Sequence, residues 1–416
     1  MSIIIKYTFT ISCILIVSAI VRVLYKQREL AYVNPFFWMN VLSFAYFSLP
    51  CLLIEEISFY YNWNLTQISI DYTRVLISII NVLNTILLLL LKKVKLKPNI
   101  NNSELNIFVK LLWFCIVGYL IAVLIKKICN NELFTYSMYG MKVYSDYKLK
   151  NLAYFILTFS TLLYFKTSNI ISFLPNMLAF FLEICSGART LSFVVVMPVF
   201  LGLAIKKKKT YLVPMVLMVL FFLSIGLARS FIIQDFNIPF YINIIGEFRE
   251  TFITLPLFIQ DNDFLYCKGS FIDLLGSIIG GMTPPPIRDY VLSYTIHPGR
   301  FIAVHIGRGY GLASNYLINS IFYGGYSFMI ITYVFLIIIA FLFLNLIQKS
   351  NEKSACLLIS FYLVFSRLAF REGIYANYSL MIFIMLFYGL PAYLIVNTRI
   401  VKEFLNKMIY KRLNDA

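Results

Sequence analysis

The stretch FYGGYSFMIITYVFLIIIAFLFLNL, residues 322–346, contains no charged residue and is long enough to cross a bilayer. A helix needs about 20 mainly apolar residues to span about 30 Å of hydrocarbon. Hydrophobic residues make up 60% of the 416-residue chain and charged residues only 13%. A soluble fold could not bury so much apolar surface. The stretch therefore predicts one membrane-spanning helix, and the composition predicts several more.

Similar apolar runs recur along most of the chain and predict about 11 membrane-spanning helices, within a range of about 10 to 12. Helices are expected because continuous apolar blocks differ from the short alternating segments of a barrel. The whole chain, residues 1–416, is predicted to be a single all-α polytopic transmembrane domain. The predicted spans are residues 3–24, 36–54, 72–91, 105–125, 151–165, 169–185, 190–205, 211–228, 322–346, 354–370 and 378–396.

Lysine-rich connections predict the orientation of these spans, because basic loops remain in the cytoplasm. They are KKVKLK (92–97), KKKK (206–209), the loop around Lys349 and Lys353, and the tail 397–416. We expect the basic tail to lie on the anionic inner leaflet, in contact with membrane lipids. Counting spans back from this cytoplasmic tail places the N-terminus outside. The net charge of +17 is then a consequence of topology, and no nucleic-acid partner is predicted.

The longest segment between predicted spans, residues 229–321, is expected to form a large outer loop containing partial, interfacial helices. Its stretch FYINIIGEFRETFITLP (240–256) predicts one amphipathic helix ended by Pro256. The alternative is a solvated face without a chemical role. The predicted apolar arc holds Tyr241, Ile244, Ile245, Phe248 and Phe252, and the predicted polar arc holds Glu247, Glu250, Thr251 and Thr254.

Arginine replaces lysine on the outer side in the second half of the chain. Between residues 186 and 372, eight of the nine outer cations are arginines. The guanidinium group binds phosphate oxygens through two parallel hydrogen bonds and keeps its charge when partly buried. This pattern predicts an anionic ligand, most simply a diphosphate, although structural ion pairs with nearby acids are an alternative. The candidate ligands are Arg189, Arg229, Arg249, Arg288, Arg300, Arg308 and Arg371.

Aromatic residues accompany these arginines. Tyr290, Tyr294 and Tyr310 offer ring faces and hydroxyls that suit a sugar. The alternative is the ordinary aromatic belt at a membrane interface. The prolines and glycines of TPPPIRDYVLSYTIHPGRFIAVHIGRGYG (283–311) predict a non-helical backbone lining a water-filled cavity at the membrane surface.

Four stretches together resemble the O-antigen polymerase (Wzy-type) family of bacterial oligosaccharide repeat-unit polymerases. They are SGART (186–190), GEF (246–248), TPPPIR (283–288) and GRGYGLASNYLINSIFYGGYSFMIITYVFLI (307–337). The likeness extends over residues 180–380. It implies an architecture similar to GT-C glycosyltransferases, in the bacterial inner membrane with a periplasmic active face.

The resemblance also implies the reaction. The growing glycan leaves its undecaprenyl diphosphate carrier and joins the non-reducing end of an incoming lipid-linked repeat unit. The implied partners are undecaprenyl-diphosphate-linked oligosaccharides and a chain-length regulator protein of the same pathway. An O-antigen ligase, or a non-enzymatic flippase for the same lipid, remains an alternative.

Such a transfer requires a group that accepts the proton of the attacking hydroxyl, and fixed cations that stabilise the departing diphosphate. The outer arginines are predicted to be those cations. No metal or cofactor is predicted, because no cysteine and histidine spacing suits a metal. The candidate proton acceptors are Glu247, Glu250, Asp289 and His305.

Overall fold

The computed structural model of the chain describes most of the sequence, and every regular element in the described part is helical. Seven of the described helices are long and apolar enough to cross a membrane. The prediction of an all-α membrane protein is thereby confirmed for this part of the chain. The described residues are 2–61, 63–90, 94–97, 107–132, 147–185, 189–206, 239–260, 269–296 and 314–397, with the single positions 212, 213, 216, 220, 298 and 301.

Ten of the eleven predicted spans coincide with described helices. Three of these helices are apolar over only 16 or 17 residues. The predicted span 211–228 and the tail beyond Asn397 lie largely outside the described residues, so the count of eleven stays a prediction. The helices near or within the membrane are α1 (Ser2–Gln27), α2 (Pro35–Leu52), α3 (Ile54–Tyr60), α4 (Gln67–Leu90), α5 (Ile107–Cys129), α6 (Tyr147–Thr167), α7 (Leu174–Cys185) and α8 (Arg189–Lys206).

The second half adds five short helices and three long ones. Helix α15 (Glu352–Glu372) lies in the centre of the molecule, and each of its residues from Ile359 to Phe370 is buried. It packs against α2, α6, α8, α14 and α16. These later helices are α9 (Phe240–Ile244), α10 (Gly246–Phe252), α11 (Thr254–Gln260), α12 (Phe271–Met282), α13 (Pro285–Ser293), α14 (Tyr316–Gln348), α15 (Glu352–Glu372) and α16 (Tyr375–Val396).

The lysine-bearing connections meet at one end of the molecule, which we call the lysine end. This shared end agrees with the sidedness that the sequence predicts, whereas which end faces the cytoplasm stays a prediction. The contacts, given as donor and acceptor, are Lys97 N to Ser350 O (3.0 Å), Lys166 Nζ to Val396 O (3.4 Å), Lys206 Nζ to Ser168 Oγ (2.5 Å) and Lys353 Nζ to Asn397 Oδ1 (2.9 Å).

The start of the chain lies at the opposite end, which we call the arginine end. The Ser2 hydroxyl donates to Asp71 Oδ1 at 3.2 Å, in the first turns of α4. Helix α4 then runs for 24 residues, about 36 Å at 1.5 Å per residue, towards Lys97 at the lysine end. The start of α1 therefore lies at the end opposite the lysine-rich connections, as the span count predicts for the N-terminus.

An ion-pair cluster joins α1, α3 and α4 at the arginine end. The Arg74 side chain is only 2% exposed, and its Nη2 lies 2.7 Å from Glu55 Oε1. Lys6 Nζ approaches the same carboxylate to 3.0 Å, and Asp71 lies 3.8 Å from Arg74 Nη1. Hydrogen bonds from Arg74 and Lys6 lower the pKa of the Glu55 carboxyl. Glu55 thus neutralises a guanidinium that would otherwise be a costly buried charge.

We expect Glu55→Gln to destabilise the folded protein by about 1–2 kcal/mol, less than for a fully buried pair because Glu55 is half exposed. Because the folded-state pKa of Glu55 is lowered, its stabilisation is present above its ordinary pKa near 4.5 and is lost as the pH falls through the folded value. When thermal unfolding in detergent is measured from pH 7 to pH 3, the unfolding temperature of the variant should fall less at acid pH than that of wild type.

The control for this experiment is Glu29→Gln, because Glu29 forms no ion pair within the described residues. It should leave the unfolding temperature and its pH dependence unchanged. If the unfolding temperature fell equally at acid pH in wild type and Glu55→Gln, the assigned role of Glu55 would be contradicted.

Helix α14 contains a sharp break that separates a short buried segment, Tyr316–Tyr323, from the membrane-spanning part. Asn315 caps this segment, accepting hydrogen bonds from the backbone of Leu317 and Ile318. At the break Gly325 has φ 69° and ψ −168°, a conformation that side chains beyond glycine rarely adopt. The two glycines therefore let the short buried segment Tyr316–Tyr323 turn away from the membrane-spanning part of α14.

We expect Gly325→Ala to destabilise the protein by about 1–3 kcal/mol, because the backbone conformation and not the surrounding space is incompatible with a Cβ atom. No heavy atom lies within 4 Å of the added Cβ. Gly118→Ala, in the middle of α5 and equally free of neighbours, is the matched control. It should be neutral or slightly stabilising by thermal unfolding, since alanine favours a helix. Equal behaviour of the two variants would contradict the prediction.

The prediction of one interfacial helix over 240–256 is wrong in three respects. The segment forms the three short helices α9, α10 and α11, with breaks at Ile245 and Ile253. Thr251 and Thr254 are fully buried, and Pro256 lies inside α11. The reason is that protein covers Thr251 and Thr254 in the polar arc, whereas the Glu250 side chain stays 27% exposed.

The prediction of non-helical backbone over the proline-rich stretch is also wrong in part, because Pro285–Ser293 forms helix α13. Proline is compatible with the first helical turn, where backbone N–H groups have no partner within the helix. Helix α12 precedes it and is capped by Ser270, whose side chain accepts a hydrogen bond from the Asp273 backbone. Helix α12 packs against both α13 and the arginine end of α16.

Candidate functional site

Two arginines one turn apart on α15 reach the first turns of α8. Arg371 Nη1 donates to Thr190 Oγ1 at 2.9 Å, and its Nε lies 3.4 Å from Glu372 Oε1. The guanidinium carbon of Arg367 lies 4.8 Å from the centre of the Phe193 ring. Since α15 is central, these contacts fix both guanidinium groups on a rigid part of the protein.

Arg249 of α10 is held between a tyrosine and a glutamate. Its guanidinium carbon lies 3.9 Å from the centre of the Tyr61 ring, and its Nη1 donates to the Tyr61 hydroxyl. Its Nη2 donates to Glu250 Oε1 at 2.7 Å. The side chain is 11% exposed. Stacking and ion pairing together hold the guanidinium plane in one orientation.

Arg288 of α13 binds the C-terminal carbonyls of α12. Its Nε donates to Gly280 O at 3.0 Å, and its Nη2 donates to Thr283 O at 3.0 Å and, more weakly, to Gly281 O at 3.5 Å. These carbonyls are among those that a helix leaves without partners at its C-terminus. Within the described residues Nη1 makes no hydrogen bond, so one edge of this guanidinium remains for another acceptor.

Aromatic packing joins the Arg249 and Arg371 regions. The Tyr46 ring on α2 packs edge-on against Phe248, with 4.9 Å between ring centres, and lies 6.5 Å from Phe370. These two phenylalanines directly precede Arg249 and Arg371. The short helix α10 is therefore anchored beside the end of the central helix α15.

Backbone packing places Arg288 in the same neighbourhood. Arg288 donates to the Gly281 carbonyl, and Gly281 packs so closely on α16 that an added Cβ atom would collide with Ala376 O, four residues after Glu372. Besides the Arg74, Lys6, Glu55 and Asp71 ion pairs, the described part of this end thus contains four further guanidinium groups, two of them paired with a carboxylate. We call this set the arginine cluster, and its members are Arg249, Arg288, Arg367, Arg371, Glu250 and Glu372.

The short buried segment Tyr316–Tyr323, which precedes the Gly-Gly break, lies against this cluster. The side chain of Asn319 lies so close to Gly373 that a Cβ atom there would meet Asn319 Cγ at 2.7 Å. Gly373 has φ 104° and follows Glu372 directly. The motif GRGYGLASNYLINSIFYGGY thus contributes its short helix to the wall beside Glu372.

Two of the predicted sugar-binding tyrosines form an exposed pair on α13. The Tyr290 and Tyr294 side chains are 67% and 74% exposed, and their ring centres lie 5.1 Å apart. Arg288 lies on the same short helix. The pair is therefore available to a ligand bound beside Arg288.

The described side chains among the predicted site residues fall at one end of the molecule. Arg249, Arg288, Arg371 and Glu250 join the arginine cluster. Arg189 is the first residue of α8, and Glu247 and Asp289 lie on α10 and α13, but their side chains are outside the described part. The remaining predicted residues lie outside the described residues altogether: Arg229, Arg300, Arg308, His305 and Tyr310.

Sequence reasoning missed three participants. Arg367 was not among the predicted ligands, and it is buried, only 1% exposed, beside Phe193. The spacing of four residues between Arg367 and Arg371 on one helix is the signal that could have placed Arg367 in the site. Thr190 ends the SGART motif, but the motif does not indicate its contact with Arg371, and nothing in the local sequence indicates Tyr61, because each reaches its arginine through tertiary packing.

Comparison of the chain with protein-family profiles, with curated protein sequences and with solved structures finds no match.

Proposed function

We propose that the protein is a membrane glycosyltransferase that polymerises undecaprenyl-diphosphate-linked O-antigen repeat units at the periplasmic face of the bacterial inner membrane. The arginine cluster carries this proposal. Its guanidinium groups lie at the end opposite the lysines, next to exposed tyrosines and to the short helix of the Gly-Gly motif. Fixed cations beside aromatic surface suit a ligand that combines a diphosphate with sugars.

The ion pairs inside the cluster are compatible with a diphosphate ligand. Arg249 and Arg371 each pair with the glutamate that follows them in sequence, and these acids are 27% and 43% exposed. Partly exposed pairs of this kind contribute little to stability. We infer that the glutamates hold the guanidinium forks in position, while the guanidinium groups attract the diphosphate.

In the proposed reaction the acceptor hydroxyl of the incoming repeat attacks the anomeric carbon of the growing glycan. The bond from that carbon to the diphosphate oxygen breaks, and the oxygen leaves with the electron pair. Arg371, Arg249 and the free edge of Arg288 stabilise the charge that develops there. A carboxylate on α10 accepts the hydroxyl proton. Tyr290 and Tyr294 bind the sugars of the chain.

We propose an enzyme rather than a flippase. Arg371 and Arg249 occupy one end of the molecule and are held by side-chain contacts, as a site for group transfer requires. An O-antigen ligase uses the same donor and is the second candidate function. A chain-length regulator protein is the proposed partner of the polymerase.

A gene deletion distinguishes these functions by the surface polysaccharide that remains. The polymerase predicts that long chains disappear while single repeats stay attached to the lipid core. Loss of all repeats indicates the ligase or the flippase, and an unchanged ladder contradicts all three. Re-expression of the full chain should restore the long chains, and the ladder is read by gel electrophoresis of the extracted lipopolysaccharide.

A further inference from the structure

An apolar groove of about 460 Å³ lies between α7 and α8, in the half of the molecule nearer the lysine end. Its walls contain no charged residue. Ile170 and Ile171 are more than half exposed and Leu174 and Met177 more than a third, so the groove opens sideways at the surface. Because both walls belong to apolar helices of the predicted spans, we expect this opening to face hydrocarbon.

The groove has the depth of one membrane leaflet. Its lining on α8 runs from Val196 to Leu203, and α8 ends one turn later at Lys206. The ten residues from Val196 to Lys206 rise about 15 Å at 1.5 Å per residue, which is half of about 30 Å of hydrocarbon. The groove therefore suits an acyl chain that starts at the lysine-end surface and ends near the middle of the bilayer.

An ammonium group lies at the lysine-end mouth of the groove. Lys206 Nζ lies 4.9 Å from the centre of the Tyr164 ring. That ring packs against Phe173, which lines the groove, with 4.5 Å between ring centres. Lys206 Nζ also donates to Ser168 Oγ at 2.5 Å, two residues before Ile170 of the groove. The charged mouth and the apolar wall therefore form one continuous surface.

Two more lysines add positive charge at the lysine end. Lys166 Nζ donates to Val396 O at 3.4 Å, and Lys353 Nζ donates to Oδ1 of the next residue, Asn397, at 2.9 Å. An acid precedes Lys353 in sequence, so the lysines outnumber it. Such a basic site between helices suits an anionic lipid head group. The charged residues of this group are Lys166, Lys206, Glu352 and Lys353.

Contacts between the helices keep the groove open. Asn176 of α7 is fully buried and donates to the Val195 carbonyl of α8 at 2.7 Å. Nearer the lysine end, a Cβ atom added to Gly202 would lie 3.0 Å from Phe173 Cζ and 3.3 Å from Tyr164 Cδ1. Because the backbones already pack closely behind the groove, the helices cannot move together to fill it.

We propose that the groove between α7 and α8 binds an anionic phospholipid of the leaflet at the lysine end, with an acyl chain in the groove and the phosphate at Lys206. This site lies at the opposite end from the arginine cluster, so the inference does not depend on the proposed function. An anionic lipid fits better than a second copy of the chain, because the groove ends at lysines and a second copy would bring like charges together.

The test counts the lipids bound to the purified full-length protein by native mass spectrometry, with two probes that have identical acyl chains. Dioleoyl phosphatidylglycerol is anionic, and dioleoyl phosphatidylcholine has no net charge. Lys206→Gln removes the charge at the mouth, and its matched control is Lys26→Gln in the exposed last turn of α1. Met177→Trp fills the groove, and its matched control is Leu342→Trp at an exposed position of α14.

We expect Lys206→Gln to weaken phosphatidylglycerol binding about fivefold, the effect of one basic residue near an anionic lipid surface. Its phosphatidylcholine binding should equal that of wild type, which also shows that the variant is folded. Met177→Trp should weaken binding of both lipids about tenfold, because the displaced methylene groups lose their burial. Both controls should bind both lipids as wild type does.

Two results would overturn the proposal. One is equal affinity of Lys206→Gln and Lys26→Gln for phosphatidylglycerol. The other is equal affinity of Met177→Trp and Leu342→Trp for the two lipids. If Met177→Trp dissociates a dimer in the same spectra and leaves lipid binding unchanged, the groove belongs to a second copy of the chain.

Photocrosslinking gives a second measurement that requires no substitution. Phosphatidylglycerol with a photoreactive group in the middle of one acyl chain should label peptides from α7 and α8 of the wild-type protein. Excess unmodified phosphatidylglycerol should prevent this labelling. Labelling spread evenly over the lipid-facing helices would indicate bulk lipid and would contradict a specific site.

Discussion

Arg371→Lys should reduce polymerisation about 100-fold, since loss of one preorganised donor at a developing negative charge costs about 100-fold to 1,000-fold in rate. Arg371 binds Thr190 through Nη1 and faces Glu372 through Nε, and in the proposed function the same fork also donates to a phosphate oxygen. A lysine keeps the charge but has one compact ammonium group, which cannot make these three contacts together. The measurement is the yield of long chains in a deletion strain that expresses the variant.

Arg22→Lys is the matched control for this experiment. Arg22 is exposed on α1, towards the lysine end, and takes no part in the arginine cluster. Its substitution should leave the yield of long chains within about twofold, a difference well under 1 kcal/mol. Full polymerisation by Arg371→Lys, at equal protein level, would remove the argument that a guanidinium fork holds the diphosphate.

Glu247→Gln should abolish polymerisation, with a loss of about 100-fold to 10,000-fold if its carboxylate accepts the proton of the attacking hydroxyl. Glu250, three residues further along α10, is the comparison. Its carboxylate accepts a hydrogen bond from Arg249 at 2.7 Å and is therefore already engaged. Glu250→Gln should reduce the yield about tenfold, through a less well positioned Arg249 rather than through proton transfer.

The pH dependence of the rate separates these two roles. A proton acceptor determines the acidic limb of the profile, so a residual rate in Glu247→Gln should lose that limb, whereas Glu250→Gln should keep it. Membrane vesicles supplied with lipid-linked repeats allow this measurement. A larger loss in Glu250→Gln than in Glu247→Gln would transfer the proposed role of base to Glu250.

The local pattern of the sequence was sufficient for the membrane-spanning helices. An apolar run such as 322–346 has one stable state in hydrocarbon, because a helix satisfies all its backbone hydrogen bonds within the segment. The same reasoning placed the lysine connections at one end, where Lys97 meets Ser350 and Lys353 meets Asn397. The enrichment in arginine likewise indicated which end carries the candidate site.

Amphipathic periodicity failed where protein replaces solvent on the polar face. Thr251 and Thr254 were expected to face the outside, yet they are buried. The Thr251 carbonyl accepts a hydrogen bond from Asn315, which precedes the short segment of α14. A period of 3.6 residues predicts which residues share a face, but not whether water or another helix covers it.

The sequence by itself determined that this chain is a helical membrane protein whose lysine-rich connections share one end and whose described candidate arginines lie at the other, because hydrocarbon length and charge cost act on each segment separately. Tertiary structure alone decided the partners of the guanidinium groups. Arg249 meets Tyr61, Arg371 meets Thr190 and Arg288 caps α12. Tyr61 and Thr190 lie 188 and 181 residues from their arginines, so only the packing of distant helices brings them within hydrogen-bonding distance, whereas Arg288 and α12 are neighbours in sequence and depend on the turn between α12 and α13.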